Sequence, residues 1–320
     1  MVPVPRALPL APAAPMVLSP ALGSLSPLQQ PLSSLQTLSA SPLHLVSPLQ
    51  APAAVSAVPR VGLSARVTPR RAAVSALRYE PEKLFELFGK VSAAAARGDK
   101  PVVIFDLDDT LVSACHRHLR ILREFADLGW VKAGYPEFVR RAGQAGLGDM
   151  RYRFTDTLHE LGLWDPRALK SAYSFWRYRF FSDAYIAEDR AIAGAAAYVR
   201  ELARRGAVIV YLTARIESRR GATEANLAAN GFPAPDGGRV VLRLKPDHYG
   251  GGTGDYKREA LEAVARLGTV VGGFDNEIAN VNIFKRRLPG ADIFMLDTRR
   301  PPAEEAPLPG LLWVRDYLLP

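Results

Sequence analysis

From residue 80 onward the apolar positions of the chain alternate between two periods. Short unbroken apolar runs at 102–105, 207–212, 240–244, 269–274 and 292–296 have the length and β-branched content of buried strands. Between them, apolar residues recur at three-to-four spacing, as in Leu84, Leu87, Phe88 and Val91 of 81–96 and in Ala195, Tyr198, Val199 and Leu202 of 194–204. Segments 217–230 and 255–267 repeat that helical pattern, the latter with Lys257, Leu261 and Val264. Strands alternating with helices of this length predict an α/β, Rossmann-like, doubly wound parallel sheet.

The alternation is interrupted once. Residues 113–186 carry almost no strand signal; helical spacing at 116–128, 136–145, 150–161 and 167–181 is punctuated by Gly129, Gly134, Gly146, Gly148, Gly162 and the pair Asp165-Pro166. An all-helical cap insertion placed directly after the first strand is the expectation. The aromatic run from Tyr173 to Phe181, with Arg177 and Arg179, reads either as a substrate-binding face or as apolar glue holding the insertion together. The chain thus divides into a leader at 1–79, an α/β core at 80–112 and 187–320, and the insertion at 113–186.

Chemistry-bearing residues sit where the apolar runs stop. The first ends in Asp106, Asp108 and Asp109, the second in Thr213-Ala214-Arg215, the third in Lys245-Pro246-Asp247 and the fourth in Asp275-Asn276-Glu277. In a parallel sheet the ligand lies outside the carboxyl ends of the strands, so Asp106, Asp108, Thr213 and Asp275 are expected to converge. Carboxylates gathered near a buried strand end need a cation, a raised pKa or solvent, because burying each charge costs several kcal/mol.

The segment Val102-Val-Ile-Phe-Asp-Leu-Asp-Asp-Thr-Leu111 resembles the first motif of the haloacid dehalogenase (HAD) superfamily. Thr213 after an apolar strand, Lys257 near a helix start and Asp275 after a later strand are similar to its second, third and fourth motifs, in that order, and the resemblance covers roughly residues 100–300. It implies a phosphatase acting on a small phosphorylated substrate, with Asp106 as nucleophile forming an aspartyl-phosphate and Asp108 as general acid and base. It further implies Mg²⁺ held by Asp106, the backbone carbonyl of Asp108 and Asp275, and a substrate phosphate held by Thr213 and Lys257. An acid at position 108 favours phosphatase or phosphotransferase chemistry over attack on carbon. Transfer to an alcohol acceptor and a non-catalytic binding protein on the same fold are the alternatives.

Several residues carry two readings. Lys245 competes with Lys257 for the phosphate, but it precedes a proline rather than opening a helix. Arg215 either reaches substrate phosphate or caps a helix. Cys115, His116 and His118 lie where the insertion begins and either touch substrate or pack; Asp109 reads as a turn acid and Glu277 as a salt-bridge partner. The fourth motif departs from the usual pair of acids, leaving Asn276 or Asn280 to complete a metal shell. The segments Thr-Ala-Arg, Asn-Leu, Gly-Phe-Pro and Lys-Pro-Asp are similar to the acid-phosphatase-like branch, which generally has little or no helical cap.

Charge and composition change the picture mainly at the amino end. Residues 1–79 hold 13 of the 26 prolines and six arginines without one acid, which predicts a disordered or polyproline-like leader. Its charge and missing acids also suit a targeting peptide, so the expected location is cytoplasmic or, alternatively, exported or organellar. The remainder is nearly balanced, 35 basic against 32 acidic residues, and gives little support to nucleic-acid binding. A single cysteine, Cys115, excludes an internal disulfide and a cysteine zinc cluster, and no apolar run is long enough to span a membrane.

Overall fold

The computed structural model describes residues 78–302 and 305–320, so the leader expected at 1–79 lies outside the described residues apart from Arg78 and Tyr79. The first helix, α1 (Glu82–Ala96), buries Leu84, Leu87, Phe88 and Val91 against the sheet. Strand β1 (Pro101–Phe105) is buried at every position, as a central parallel strand covered on both faces must be. A two-residue strand, β2 (Val112–Ser113), leads into the helices α2 (Cys115–Ala126), α3 (Gly129–Gly134), α4 (Pro136–Gln144), α5 (Phe154–Glu160), α6 (Pro166–Phe180) and α7 (Asp183–Ile186). The chain returns through β3 (Arg190–Ala191), which pairs antiparallel with β2 and closes a narrow ribbon. It then alternates through α8 (Ala195–Arg204), β4 (Val208–Ile216), α9 (Arg220–Ala229), β5 (Val240–Lys245), α10 (Thr253–Ala265), β6 (Thr269–Asp275), α11 (Ile278–Arg287), β7 (Asp292–Leu296) and β8 (Leu312–Val314).

The six long-range strands form one parallel sheet in the order β5-β4-β1-β6-β7-β8. The chain builds outward from β1 first to one side and then to the other, so the strand order reverses at β1 and opens a crevice there. An α/β Rossmann-like sheet with a helical insertion was the expected class. The sheet has six strands rather than the five expected, because the closing segment adds β8 at the edge.

Packing across the sheet is close. Phe105, Phe274 and Phe294 stack from strand to strand, with ring centroids 4.6 and 4.4 Å apart. Beside them β6 runs through Gly272, where a Cβ would sit 2.9 Å from the Leu87 side chain, so α1 reaches the sheet only because that position is bare. The insertion has its own apolar core, including Ile121, Leu122, Phe125, Val131, Phe138 and Leu158, separate from the two clusters that line the faces of the sheet.

One expected helix is shorter than its periodicity suggests. Residues 150–161 have helical spacing, yet α5 begins at Phe154, and 150–153 form an irregular segment. The backbone groups there are taken by tertiary partners: Arg151 N–H donates to Thr157 Oγ1 at 2.9 Å, and the Arg151 carbonyl accepts from Arg299 Nη1 at 3.1 Å. Among the described residues no helix is long and apolar enough to cross a membrane.

Candidate active site at the carboxyl ends of the central strands

The sheet order makes β1, β4 and β6 neighbours, and their carboxyl ends bring Asp106, Thr213 and Asp275 to one place. Lys257 joins them from α10. Its ammonium lies 2.8 Å from Asp106 Oδ1 and 2.5 Å from Asp275 Oδ2, and all three side chains are buried. Asp275 Oδ1 accepts from the Glu277 N–H at 2.9 Å and from Asn280 Nδ2 at 3.1 Å, which fixes that carboxylate on both oxygens. Asp106 is less well served: apart from Lys257 it has a 3.3 Å contact with Thr110 Oγ1, whose hydroxyl also reaches Asn276 Oδ1 at 3.1 Å.

Two buried carboxylates share one ammonium, so ionising both leaves a surplus negative charge that a proton or a cation must offset. Burial, offset in part by Lys257 and reinforced by Asp275, pushes the Asp106 carboxyl up to about 8. Burial works against the Lys257 charge too, but the two carboxylates outweigh it and hold the ammonium above the ordinary lysine range. A surplus charge on hard oxygen donors fits a small divalent cation such as Mg²⁺. Among the described residues no three His, Cys, Asp or Glu side chains are grouped to hold a metal, so the shell would need backbone, amide or water oxygens besides Asp106 and Asp275.

Asp108 stands in a different network. Its carboxylate receives Arg215 through Nε and Nη2, each at 2.9 Å, and Arg117 through Nη2 at 2.5 Å. Both arginines also bind Asp189, a fully buried acid just before β3. Burial alone would raise the Asp108 pKa, but Arg215 and then Arg117 overcome it and hold the carboxyl far below its usual range. Burial raises Asp189 to about 6 in spite of the same two arginines. Arg215 therefore sits inside β4 as an ion-pair partner and not as a helix cap, while its Nη1 is buried without a partner.

A third set of contacts carries the irregular segment 150–153 to the same end of the sheet. Tyr152 donates its hydroxyl to Glu277 Oε1 at 2.6 Å, and Glu277 Oε2 accepts from Asn280 at 3.3 Å. Glu277 was expected to make a salt bridge; it instead links the insertion to the amide that orients Asp275. Asp109 adopts a left-handed conformation, φ 56°, and is held there by Arg299, whose Nη2 lies 2.9 and 2.8 Å from its two carboxylate oxygens.

Other sequence candidates fall elsewhere. Lys245 ends β5, an edge strand separated from β1 by β4, so it is remote from the Asp106–Asp275 pair. Cys115 packs against the apolar core of the insertion, and His118 is buried among the rings of Phe154, Trp176 and Phe180. Thr213 is buried beside β1, its hydroxyl accepting the Arg215 N–H at 3.2 Å. Sequence reasoning did not single out Arg117, Tyr152, Asp189 or Arg299. Arg117 lies between the two histidines considered at the start of the insertion, where it reads as the polar face of a helix; Asp189 reads as part of a solvated Ala-Glu-Asp-Arg turn.

No family model matches the chain, and no curated protein matches it. Solved structures that resemble it include a haloacid dehalogenase-like family hydrolase from Streptococcus pneumoniae, 14% identical, with a TM-score of 0.40 over 62% of this chain and 85% of the other. CbbY from Rhodobacter sphaeroides in complex with phosphate is 15% identical, with a TM-score of 0.38 over 68% and 95% of the two chains. The class C acid phosphatase from Bacillus anthracis with tungstate bound is 18% identical, with a TM-score of 0.34 over 62% and 64%. Likeness at this level concerns the arrangement of the chain and identifies no activity.

Proposed function

We propose that the chain is a HAD-like, Mg²⁺-dependent phosphoric monoester hydrolase in which Asp106 is the nucleophile. The observation that carries this reading is the meeting of the buried side chains of Asp106, Lys257 and Asp275, from the ends of β1, α10 and β6, within hydrogen-bond distance. On this reading residues 113–186 cap a core made of 80–112 and 187–320, and the substrate enters between them. Asp106, Asp275 and the backbone carbonyl of Asp108 would hold Mg²⁺, which when bound offsets the negative charge of carboxylate and phosphate.

The chain's own groups then divide the work. Lys257 orients Asp106 and draws charge from it, and the hydroxyl of Thr213 is placed at the neighbouring strand end to meet a phosphate oxygen. Asp106 attacks phosphorus, the P–O bond to the leaving alcohol breaks, and Asp108 relays to that oxygen the proton that the ester carries when it binds as its monoanion. A water then attacks the aspartyl-phosphate, giving its proton to Asp108 and releasing inorganic phosphate. Arg215 and Arg117 hold Asp108 as the carboxylate, the form that both the proton relay and the water step require. Arg215, with one free amino group beside these carboxylates, is assigned to the substrate phosphate.

The direct test is Asp106→Asn in the purified full chain, assayed for phosphate release from a panel of monoesters with and without Mg²⁺. Turnover is expected to vanish in the variant, and activity retained in Asp106→Asn removes the assignment. Chelating divalent ions is expected to abolish wild-type turnover and lower its melting temperature, with Mg²⁺ restoring both, because a ligand that binds only the folded chain stabilises it by mass action. The thermal response should disappear in Asp275→Asn.

A further inference from the structure

The insertion meets the candidate site through Tyr152 on Glu277, and it also reaches into the machinery through one buried residue. Arg117, on the first turn of α2, is buried, and all three nitrogens of its guanidinium are engaged. Nε and Nη2 clasp Asp189 at 2.9 and 2.6 Å, Nη1 donates to the Phe180 carbonyl at 2.8 Å, and Nη2 also meets Asp108 at 2.5 Å. The guanidinium plane is further backed by the Phe180 ring, 4.1 Å from its centre. A side chain so fully used has one position, and whatever it touches is fixed with it.

Asp108, by contrast, is about one-third exposed and sits at the end of β1, where its carboxylate would have rotational freedom. Arg215 grips it from β4 and Arg117 grips it from the insertion, so the two guanidiniums hold it from different parts of the fold. Asp189 braces both, and its own place is secured by Asn226 and Asn230 of the α9 region, which each donate to its backbone carbonyl at 3.1 Å. Apart from the roles proposed above for the Asp108 carbonyl and the free Nη1 of Arg215, the contacts of this set converge on the Asp108 carboxylate.

We infer that Arg117, braced by Asp189, is a positioning residue that aims the Asp108 carboxylate at the leaving-group oxygen, so that the helical insertion supplies part of the catalytic geometry. The inference rests on the phosphatase reading, in which Asp108 handles the leaving-group proton. Removing the insertion's grip leaves Arg215 alone on Asp108, and a proton relay that is mis-aimed matters most where the departing alcohol is poor.

The test compares para-nitrophenyl phosphate, whose leaving group needs little help, with glycerol phosphate, whose leaving group needs much. In Arg117→Met, kcat on glycerol phosphate is expected to fall by about 10- to 100-fold, in the range that a positioned general acid supplies, and on the nitrophenyl ester by only a few-fold. KM should change little on either, and Arg117→Lys should recover part of the loss. Equal losses on the two esters, or none, overturn the inference. A second measurement is independent of turnover: melting temperatures of wild type, Arg117→Lys, Asp108→Asn and the double variant. The Arg117 substitution is expected to cost fewer degrees when Asp108 is already Asn, and strictly additive shifts overturn the proposed grip. If no ester is hydrolysed by the wild type, the phosphatase reading falls, and the melting comparison decides on the Arg117–Asp108 grip alone.

Discussion

At the scale of single residues, the parts of the site set by strand-end geometry were legible and the parts that depend on the insertion's path were not. Asp106, Thr213 and Asp275 each come after an apolar run, and a parallel sheet leaves such residues nowhere to go but the crevice. Arg117 and Asp189 are partners only because α2 and the return ribbon come back to the same strand ends, and no local period encodes that. His118 shows the same limit from the other side. It was a candidate for touching substrate, yet it is buried with ring edges on three sides and its Nδ1 has no partner. Burial first, then the positive charges of Arg299 and Arg117, hold its pKa well below the ordinary histidine value. The unfolded chain therefore takes up a proton near pH 6.5 that the folded chain refuses, so the stability this neutral ring contributes is present above that pH and lost as pH falls. His118→Phe removes the titration without stranding a partner. Between pH 8 and pH 5 the wild type is expected to lose up to about 2 kcal/mol more stability than the variant. Parallel melting profiles across that interval would contradict it.

At the scale of elements, periodicity found the strands and most helices, and it failed where tertiary contacts decide the backbone. The segment 150–153 has helical spacing but gives its backbone groups to Thr157 and Arg299, and that departure delivers Tyr152 to Glu277. Helix α11 was not anticipated, because Asn280 and Asn282 interrupt its apolar face; both are buried to serve specific partners, Asp275 and the 306–308 segment. The closing strand β8 was only a short final segment in the sequence, and the residues after it form a strap with a definite job. The Tyr317 N–H donates to the Ala193 carbonyl at 3.0 Å, and its hydroxyl donates to the Thr110 carbonyl at 3.1 Å, so this strap supports the turn after Asp106. Gly194, at the start of α8, makes room for this strap: it has φ 75°, and a Cβ there would lie 2.6 Å from the Tyr317 carbonyl oxygen. Gly194→Ala is expected to destabilise by more than about 2 kcal/mol, the left-handed penalty plus displacement of the strap. Gly98→Ala is the control, since φ there is 82° but nothing lies within 4 Å, and it should cost only about 1 kcal/mol. Equal losses by chemical denaturation would show that the strap yields freely.

At the scale of the whole molecule, the question is whether the insertion moves as a separate body or stands and falls with the sheet. It has its own apolar core and a two-strand ribbon for a neck, features that favour independent melting. Against this stand the buried pairs of Arg117 and Arg215 with Asp108 and Asp189, the Tyr152–Glu277 bond and the Arg299 bond to the Arg151 carbonyl. The exposed Arg219–Asp183 pair adds little, because solvent screens it. Removing one partner from a buried ionic set costs about 3–5 kcal/mol, enough that a fully paired neck should hold the two cores to one transition. The tryptophans make this measurable: Trp130, Trp164 and Trp176 lie in the insertion and Trp313 alone lies in the sheet, so fluorescence reports chiefly the insertion while far-ultraviolet circular dichroism reports both. In the wild type the two denaturation curves are expected to coincide. In Asp189→Ala, which leaves Arg117 and Arg215 facing each other without their shared brace, the fluorescence midpoint should fall below the dichroism midpoint as the insertion melts first. Curves that already separate in the wild type would show that the neck is loose, and with it would go the expectation that the insertion holds Asp108 in a fixed aim.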